Sequence, residues 1–323
     1  MKNIGIIGLG VMATRMIANV INYGGFRVAA AWDPSPATLI KVRELAPDLK
    51  IMKNAEELIT DAEVDGVYIA SPPASHAPYA TAVIEAGKPV ISEKPLGVDL
   101  KQSRKLVQLA EKSRISNAVN FTFAASLAAN EMKSALQNKT IGEVSAVDIH
   151  LHFCKWPRDW QVPATWLTKC EQGGFVRETF SHYAYLAEKL FGTIKLIKAG
   201  ARYPEDQNAA EIQAMAWMDC NGIPITFSGG TGGLDTSTAD RIEFTVWGKK
   251  AVYQIYDWNK LRSNRGDGWV EHLTDIVDTR QAGYRQQVGA IGSFFDGDSH
   301  PLPDFSLALR VQELIEEMLN NPI

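Results

Sequence analysis

Residues 2–120 alternate short, β-rich apolar runs with amphipathic stretches, and few architectures accommodate that alternation. NIGIIG, VAAAW, GVYIAS, PVISE and SNAVNF have the length of strands, while MATRMIANVI, PATLIKVRELA, NAEELIT and LKQSRKLVQLAEKS between them have helical spacing. A strand covered by helices on both faces reads as a continuous apolar run; a half-solvated strand alternates instead. Residues 1–120 therefore read as an α/β domain with a doubly wound parallel sheet. After residue 121 the pattern changes. A helical stretch at 125–137 leads into GEVSAVDIHLHF, EIQAMAWMD, IPITFSG, RIEFTVWG and KAVYQIYD, and a closing helix falls near 307–319. Residues 121–323 are expected to form an α+β domain on a large, open, mostly antiparallel sheet. Two domains also suit a chain of 323 residues, more than one core usually organises.

The first apolar run passes directly into Gly8-Leu9-Gly10-Val11-Met12-Ala13, and Asp33 closes VAAAWD 20 residues after Ala13. Glycines at a strand-to-helix turn allow the backbone to approach a pyrophosphate, which the N–H groups of the helix start can hold. A carboxylate after the second strand accepts from ribose hydroxyls and repels a 2′-phosphate. Gly8, Gly10, Val11, Met12, Ala13 and Asp33 are thus candidate cofactor residues, with NAD(H) favoured and NADP(H) possible. Two plainer readings stand beside this one: a structural glycine turn, and an aspartate capping a helix in DPSPAT.

In a doubly wound sheet, ligands bind at the carboxyl ends of the strands. Two further ends carry polar punctuation: Ser71-Pro72-Pro73 after GVYIA, and Glu93-Lys94-Pro95 after PVIS. GLGVMA, SPPASH (71–76), EKP (93–95) and GGFVRETFSH (173–182), in this order and with this change of architecture, resemble the glucose–fructose oxidoreductase / inositol dehydrogenase / MocA-type (Gfo/Idh/MocA) family over nearly the whole chain. The resemblance implies that Ser71, Pro72, His76 and Glu93 lie along the cofactor and that Lys94 points at the carbon exchanging hydride. A partly desolvated lysine beside an oxidised nicotinamide has its charged form disfavoured, which suits a group managing a hydroxyl proton. The Lys94–Pro95 bond is a candidate for the cis form. The plain alternative for Glu93 and Lys94 is an ion pair at a strand end.

In GGFVRETFSHYAYLAEKLFG, Glu178 and His182 are four apart and share a helical face. A carboxylate can orient an imidazole that acts as general base. The family carries aspartate and histidine at this spacing, completing a set with the EKP lysine; here position 178 is glutamate. Its extra methylene leaves two outcomes open: reach toward the substrate, or a pair with Arg177 or another basic neighbour. The preceding KWPRDWQVPATWLTKC holds Trp156, Trp160 and Trp166, whose faces can stack on sugar C–H surfaces or pack the loop. The resemblance puts Trp166 near cofactor and substrate. Asn120 and Phe121 could line the same cleft, and Thr122-Phe123-Ala124, where the family often has basic or polar residues, argues against a strongly anionic substrate at that edge.

Asp148, His150, His152 and Cys154 alternate along one strand, but ligands from a single strand rarely close a tetrahedral zinc site, so a polar sheet face is expected and no metal. SGGTGGLDTS lacks the lysine of a phosphate loop. A net charge of −4 offers nothing to nucleic acid or an anionic membrane. No apolar stretch approaches a bilayer span, and MKNIGIIGLG lacks the features of a signal peptide. Three scattered cysteines suggest free thiols in a reducing compartment, the cytoplasm. The function expected is hydride transfer between NAD(H) and a sugar, polyol or cyclitol, with Lys94 and His182 handling the proton. Alternatives are an NADPH-dependent reductase of an aldose derivative, diol or imine, and a non-catalytic NAD(P) sensor. The family analogy implies a homodimer or homotetramer through the second sheet.

Overall fold

Strand order decides which polar groups of the N-terminal half can meet. A computed structural model describes residues 1–206 and 208–321, and the chain divides into two units: Met1–Ala124 with Tyr284–Gln312, and Ala125–Gly283 with the chain from Glu313 on. In the first unit the chain runs β1 (Asn3–Ile7), α1 (Val11–Tyr23), β2 (Arg27–Trp32), α2 (Pro36–Leu45), β3 (Lys50–Ile51), α3 (Ala55–Thr60), β4 (Gly66–Ile69), α4 (His76–Glu85), β5 (Val90–Glu93), α5 (Leu100–Ser113) and β6 (Asn117–Asn120). The six strands are all parallel, in the order β3-β2-β1-β4-β5-β6. Order reverses between β1 and β4, which makes their carboxyl ends the switch point of the sheet. Every residue of β4 and β5 is buried, as their unbroken apolar runs require. Helix α5 starts where the Asp99 carboxylate accepts the Gln102 N–H at 2.8 Å, and it buries Leu106, Val107 and Ala110 on one face.

The second unit contains α6 (Leu127–Gln137), β7 (Val144–Phe153), α7 (Ser181–Phe191), β8 (Lys195–Arg202), β9 (Gln213–Cys220), β10 (Ile223–Thr231), β11 (Arg241–Gly248), β12 (Val252–Tyr256), β13 (Lys260–Asn264) and β14 (Trp269–His272). Its sheet has the order β14-β13-β12-β11-β7-β10-β9-β8, antiparallel except where β10 lies parallel to β7. Along β7, Val147, Ile149, Leu151 and Phe153 point into the core while Asp148, His150 and His152 face outward. On the covered face Phe180 stacks on Phe227 at 4.0 Å and Tyr183 on Phe244 at 6.3 Å. On the outer face Thr226 Oγ1 and Trp247 Nε1 donate to Asp148, the latter at 2.7 Å, and His152 Nε2 contacts the Gly232 carbonyl at 2.8 Å. Among the described residues no group of three or more His, Cys, Asp or Glu side chains could hold a metal ion.

Beyond the sequence reading lie β8, β13 and β14, whose polar residues mask the alternation, and α8 (Thr279–Asp296). Three glycines within α8 and its run of polar residues hide the helical period. With the first part of α9 (Phe305–Leu319), most of α8 returns to the first unit, where Val119 N–H donates to Pro303 O at 2.9 Å and Phe305 N–H to Asn117 Oδ1 at 2.8 Å. The three cysteines are thiols outside any disulfide, and no helix among the described residues is long and apolar enough to cross a membrane.

Candidate active site

At the end of β1, Gly8 has φ +88°, and a Cβ there would stand 2.5 Å from the Ser71 nitrogen, so the turn after β1 closes against the turn after β4. Gly10 is the residue preceding α1; a Cβ on it would meet nothing within 4 Å. Val11, Met12 and Ala13 form the first turn, which has no side-chain cap and no acidic residue. These are features of an anion-holding helix start with room for a close backbone approach. Asp33 reaches back over this turn: its Oδ2 accepts Leu9 N–H at 2.7 Å and its Oδ1 accepts Ser35 N–H at 2.8 Å. The residue preceding α2 is Ser35, so Asp33 is not that helix's cap. Each carboxylate oxygen retains further acceptor capacity for a ribose hydroxyl. Tyr79, unremarked in the sequence, sits nearby; burial and then the charge of Asp33 raise its pKa. These groups fit a dinucleotide.

The ends of β4, β5 and β6 form one hydrogen-bonded assembly. Ser75 Oγ lies 2.7 Å from both Pro72 O and Ser71 Oγ, so its one proton goes to the carbonyl and it accepts from the Ser71 hydroxyl. His76 is buried, with Nδ1 2.7 Å from Pro95 O and Nε2 2.7 Å from Ser71 O. Two carbonyls both ask the ring to donate, which only imidazolium can do at once. Burial pulls the other way: it lowers the His76 pKa against those carbonyls, and the Lys94 charge lowers it further. The ring thus braces the Ser71 segment against the cis Lys94–Pro95 peptide. Glu93 is 6% exposed and Lys94 9%. The Tyr68 hydroxyl donates to Glu93 Oε1, and Asn120 Nδ2 donates to that oxygen at 2.9 Å and to the Tyr68 hydroxyl at 2.7 Å. Gln287 Nε2 completes the relay onto Asn120 Oδ1 at 2.7 Å. Burial, and then the Glu93 charge, pushes the Tyr68 pKa well above its ordinary value, so it stays a phenol and a donor. Asn120 is therefore spent behind Glu93, and Phe121 is buried at 1% exposure.

In the second unit, Gly174 has φ +96°, and a Cβ there would fall 2.1 Å from Glu211 Oε2. The chain then enters a π-helical turn, Val176–Phe180, before α7, where the sequence spacing suggested an uninterrupted α-helix. Such turns are frequent at functional sites. Arg177 is buried and bidentate to Glu316, both bonds 2.7 Å, and also donates to the carbonyls of Cys170 (2.7 Å) and Gly173 (3.1 Å). Arg177 is thus matched by Glu316, and Glu178 Oε1 accepts from Gln161 Nε2 at 3.0 Å. His182 is 7% exposed and lies edge-to-face with Trp258 at 5.8 Å. The guanidinium of Arg158 sits 4.9–5.9 Å from the rings of Phe153, Trp156, Trp160 and Trp258. Trp166 is half-buried in a short turn, Thr165–Thr168. Gln161, Glu211 and Trp258 escaped the sequence reading, because a lone polar or aromatic residue in a loop or strand carries no local pattern.

Comparisons with known proteins bear on both units. Residues 2–121 match the family model described as "Oxidoreductase family, NAD-binding Rossmann fold", and residues 133–321 match its "C-terminal alpha/beta domain". An inositol 2-dehydrogenase of Paracoccus denitrificans is 38% identical over 112 residues, 33% of this chain and 33% of that protein. An oxidoreductase from Agrobacterium radiobacter, solved in complex with NAD+, L-tartaric acid and magnesium, superposes with a TM-score of 0.83 at 18% identity, covering 99% of this chain and 96% of that one. KijD10, a 3-ketoreductase from Actinomadura kijaniata in complex with NADP and TDP-benzene, gives 0.81 at 17%, covering 98% and 96%. At such identities the two structures establish the fold alone.

The buried carboxyl of Glu211 yields a pH dependence. Its Oε1 accepts Val176 N–H at 2.8 Å, and burial pushes its pKa from 4.5 up to about 7 despite the neighbouring Arg177; Glu316 and Tyr203 are further ionisable groups around it. Between those values the folded chain keeps a proton that the unfolded chain releases, so stability falls as pH rises from about 4.5 through 7. At about 1.4 kcal/mol per unit the loss is about 3 kcal/mol. Urea denaturation at pH 5 and pH 8 should show Glu211→Gln losing markedly less stability over that interval than wild type; parallel losses would exclude Glu211 as the cause.

Proposed function

The chain belongs to the Gfo/Idh/MocA oxidoreductase family, and on that premise we propose that it transfers hydride between NAD(H) and a sugar, polyol or cyclitol carbon. The observation carrying this reading is the setting of Lys94. It is nearly buried at the carboxyl end of β5, between a Glu93 carboxylate held by Tyr68 and Asn120 and a Pro95 carbonyl held by His76. Such anchoring suits a lysine that must meet a reacting oxygen at a fixed position. The bound nicotinamide supplies or accepts the hydride. The first turn of α1 holds the pyrophosphate, and Asp33 takes the adenosine ribose. Lys94 hydrogen-bonds the reacting hydroxyl, and His182 takes its proton as the carbon is oxidised, with Glu178 positioned beside it. In the reductive direction the same groups return the proton. Trp166 supplies an apolar wall.

Preference for NAD(H) over NADP(H) rests on Asp33, whose carboxylate would repel a 2′-phosphate. The outer face of the second sheet exposes Ile197, Met215, Trp217 and Trp247. A clustered apolar face of this kind is normally covered, and a second copy of the chain is the occupant proposed, giving a homodimer or homotetramer. Three thiols outside any disulfide suit the cytoplasm.

A panel of polyols, aldoses and cyclitols should yield turnover with NAD+ in wild type, and Lys94→Ala should lower kcat by a factor on the order of 10² to 10⁴ while leaving NADH affinity nearly intact. Wild-type turnover in that variant would remove lysine from the mechanism. Asp33→Ser should shift the NADH-to-NADPH affinity ratio by about tenfold or more toward NADPH; a wild-type enzyme that already prefers NADPH contradicts the assignment. In sedimentation experiments Trp217→Lys should dissociate the oligomer, and an unchanged or monomeric wild-type profile would eliminate this interface.

A further inference from the structure

We propose that Gln161 is a positioning residue that fixes the carboxylate of Glu178, with Arg158 as its anchor. Gln161 is 2% exposed, in a single turn (Asp159–Gln161) within the tryptophan-rich loop. Its Oε1 accepts from the backbone N–H of Arg158 at 3.2 Å and from Arg158 Nε at 3.0 Å. Backbone N–H and guanidinium can only donate. The side-chain amide therefore has one permitted orientation, with its oxygen toward Arg158 and its NH2 group toward Glu178 Oε1, 3.0 Å away. Arg158 is in turn set by aromatic rings, with its guanidinium 5.3 Å from the ring centre of Phe153 and 5.4 Å from that of Trp258. Trp258 is also the ring that meets His182 edge-on.

The loop thus reaches this segment twice, through a directed hydrogen bond onto Glu178 in the π-helical turn and, from Arg158 by way of Trp258, onto His182 at the start of α7. This gives a physical reason why glutamate can serve at position 178. A longer side chain has more rotamers to lose than aspartate, and a buried amide whose orientation is dictated from behind selects among them. The loop's sequence then tunes the reaction without touching the reacting atoms.

The inference rests on reading Glu178 as part of the proton-handling set, and the experiment separates the two. In wild type, the Gln161 side-chain NH2 resonances, assigned by their loss in Gln161→Met, should be protected from solvent exchange and should shift in Glu178→Ala. Kinetics use the panel compound that wild type turns over fastest. Gln161→Met keeps the side-chain volume, so it should fold and bind NADH as wild type does, with kcat about tenfold lower. In a Glu178→Ala background the same substitution should have no further effect. If Glu178→Ala is as active as wild type, the reading of Glu178 fails. If Glu178→Ala is impaired but Gln161→Met is silent or additive to it, or the Gln161 amide exchanges freely, the positioning role is overturned.

Discussion

A strand buried on both faces can carry charge only where it ends, and a charge placed there must be met by hydrogen bonds from the core behind it. The first unit is arranged around that constraint. Glu93 closes β5 with almost no exposure, and an unmet carboxylate in such a place would cost several kcal/mol. Tyr68 from β4, Asn120 from β6 and Gln287 from α8 supply a relay of donors directed onto it. Because the sheet is parallel, the glycine turn, Asp33, Ser71, Glu93 and Asn120 all emerge at the same edge. The carboxyl ends of these strands and the anchoring of Lys94 are consequently parts of one hydrogen-bonded structure.

The second unit meets the same difficulty by other means. Arg177 enters the interior one turn before His182 and is matched by Glu316 and two carbonyls. Glu211 presses against Gly174 and takes the Val176 N–H. A buried ion pair of this kind adds little net stability once desolvation is counted, whereas removing one partner is expensive. What it provides here is a fixed entry into the π-helical turn and hence a fixed direction for Glu178 and His182. Burial of the supporting charges sets the geometry of this segment.

What could be read from the sequence was what is written locally. The Gly8–Ala13 turn, Asp33 and Glu93-Lys94-Pro95 each announce themselves within a few residues; continuous apolar runs located the first sheet, and alternation located the central strands of the second. The supporting groups do not. Tyr68 reads as one more apolar strand residue, and Gln287 lies 167 residues from the Asn120 it touches. Gln161 belongs to a loop whose tryptophans draw attention first. Asn120 and Phe121 were read as lining a cleft, yet the relay behind Glu93 and the core bury them. The return of α8 to the first unit was hidden because its glycines and polar residues break the helical period. Local pattern reports secondary structure and reacting groups; the groups that hold them are chosen by packing, which has no short-range signature.

Arg177 and Glu316 are 139 residues apart, and Asn120 and Gln287 farther still. The ribosome delivers the chain in order, so the consequence is one of timing. A nascent chain can lay down the parallel sheet and its glycine turn early, but Glu93's relay stays incomplete until α8 has emerged, and Arg177 remains without its carboxylate until most of α9 has been made. The support behind Glu93 and the support behind the π-helical turn are thus completed at different moments of synthesis, the second of them last.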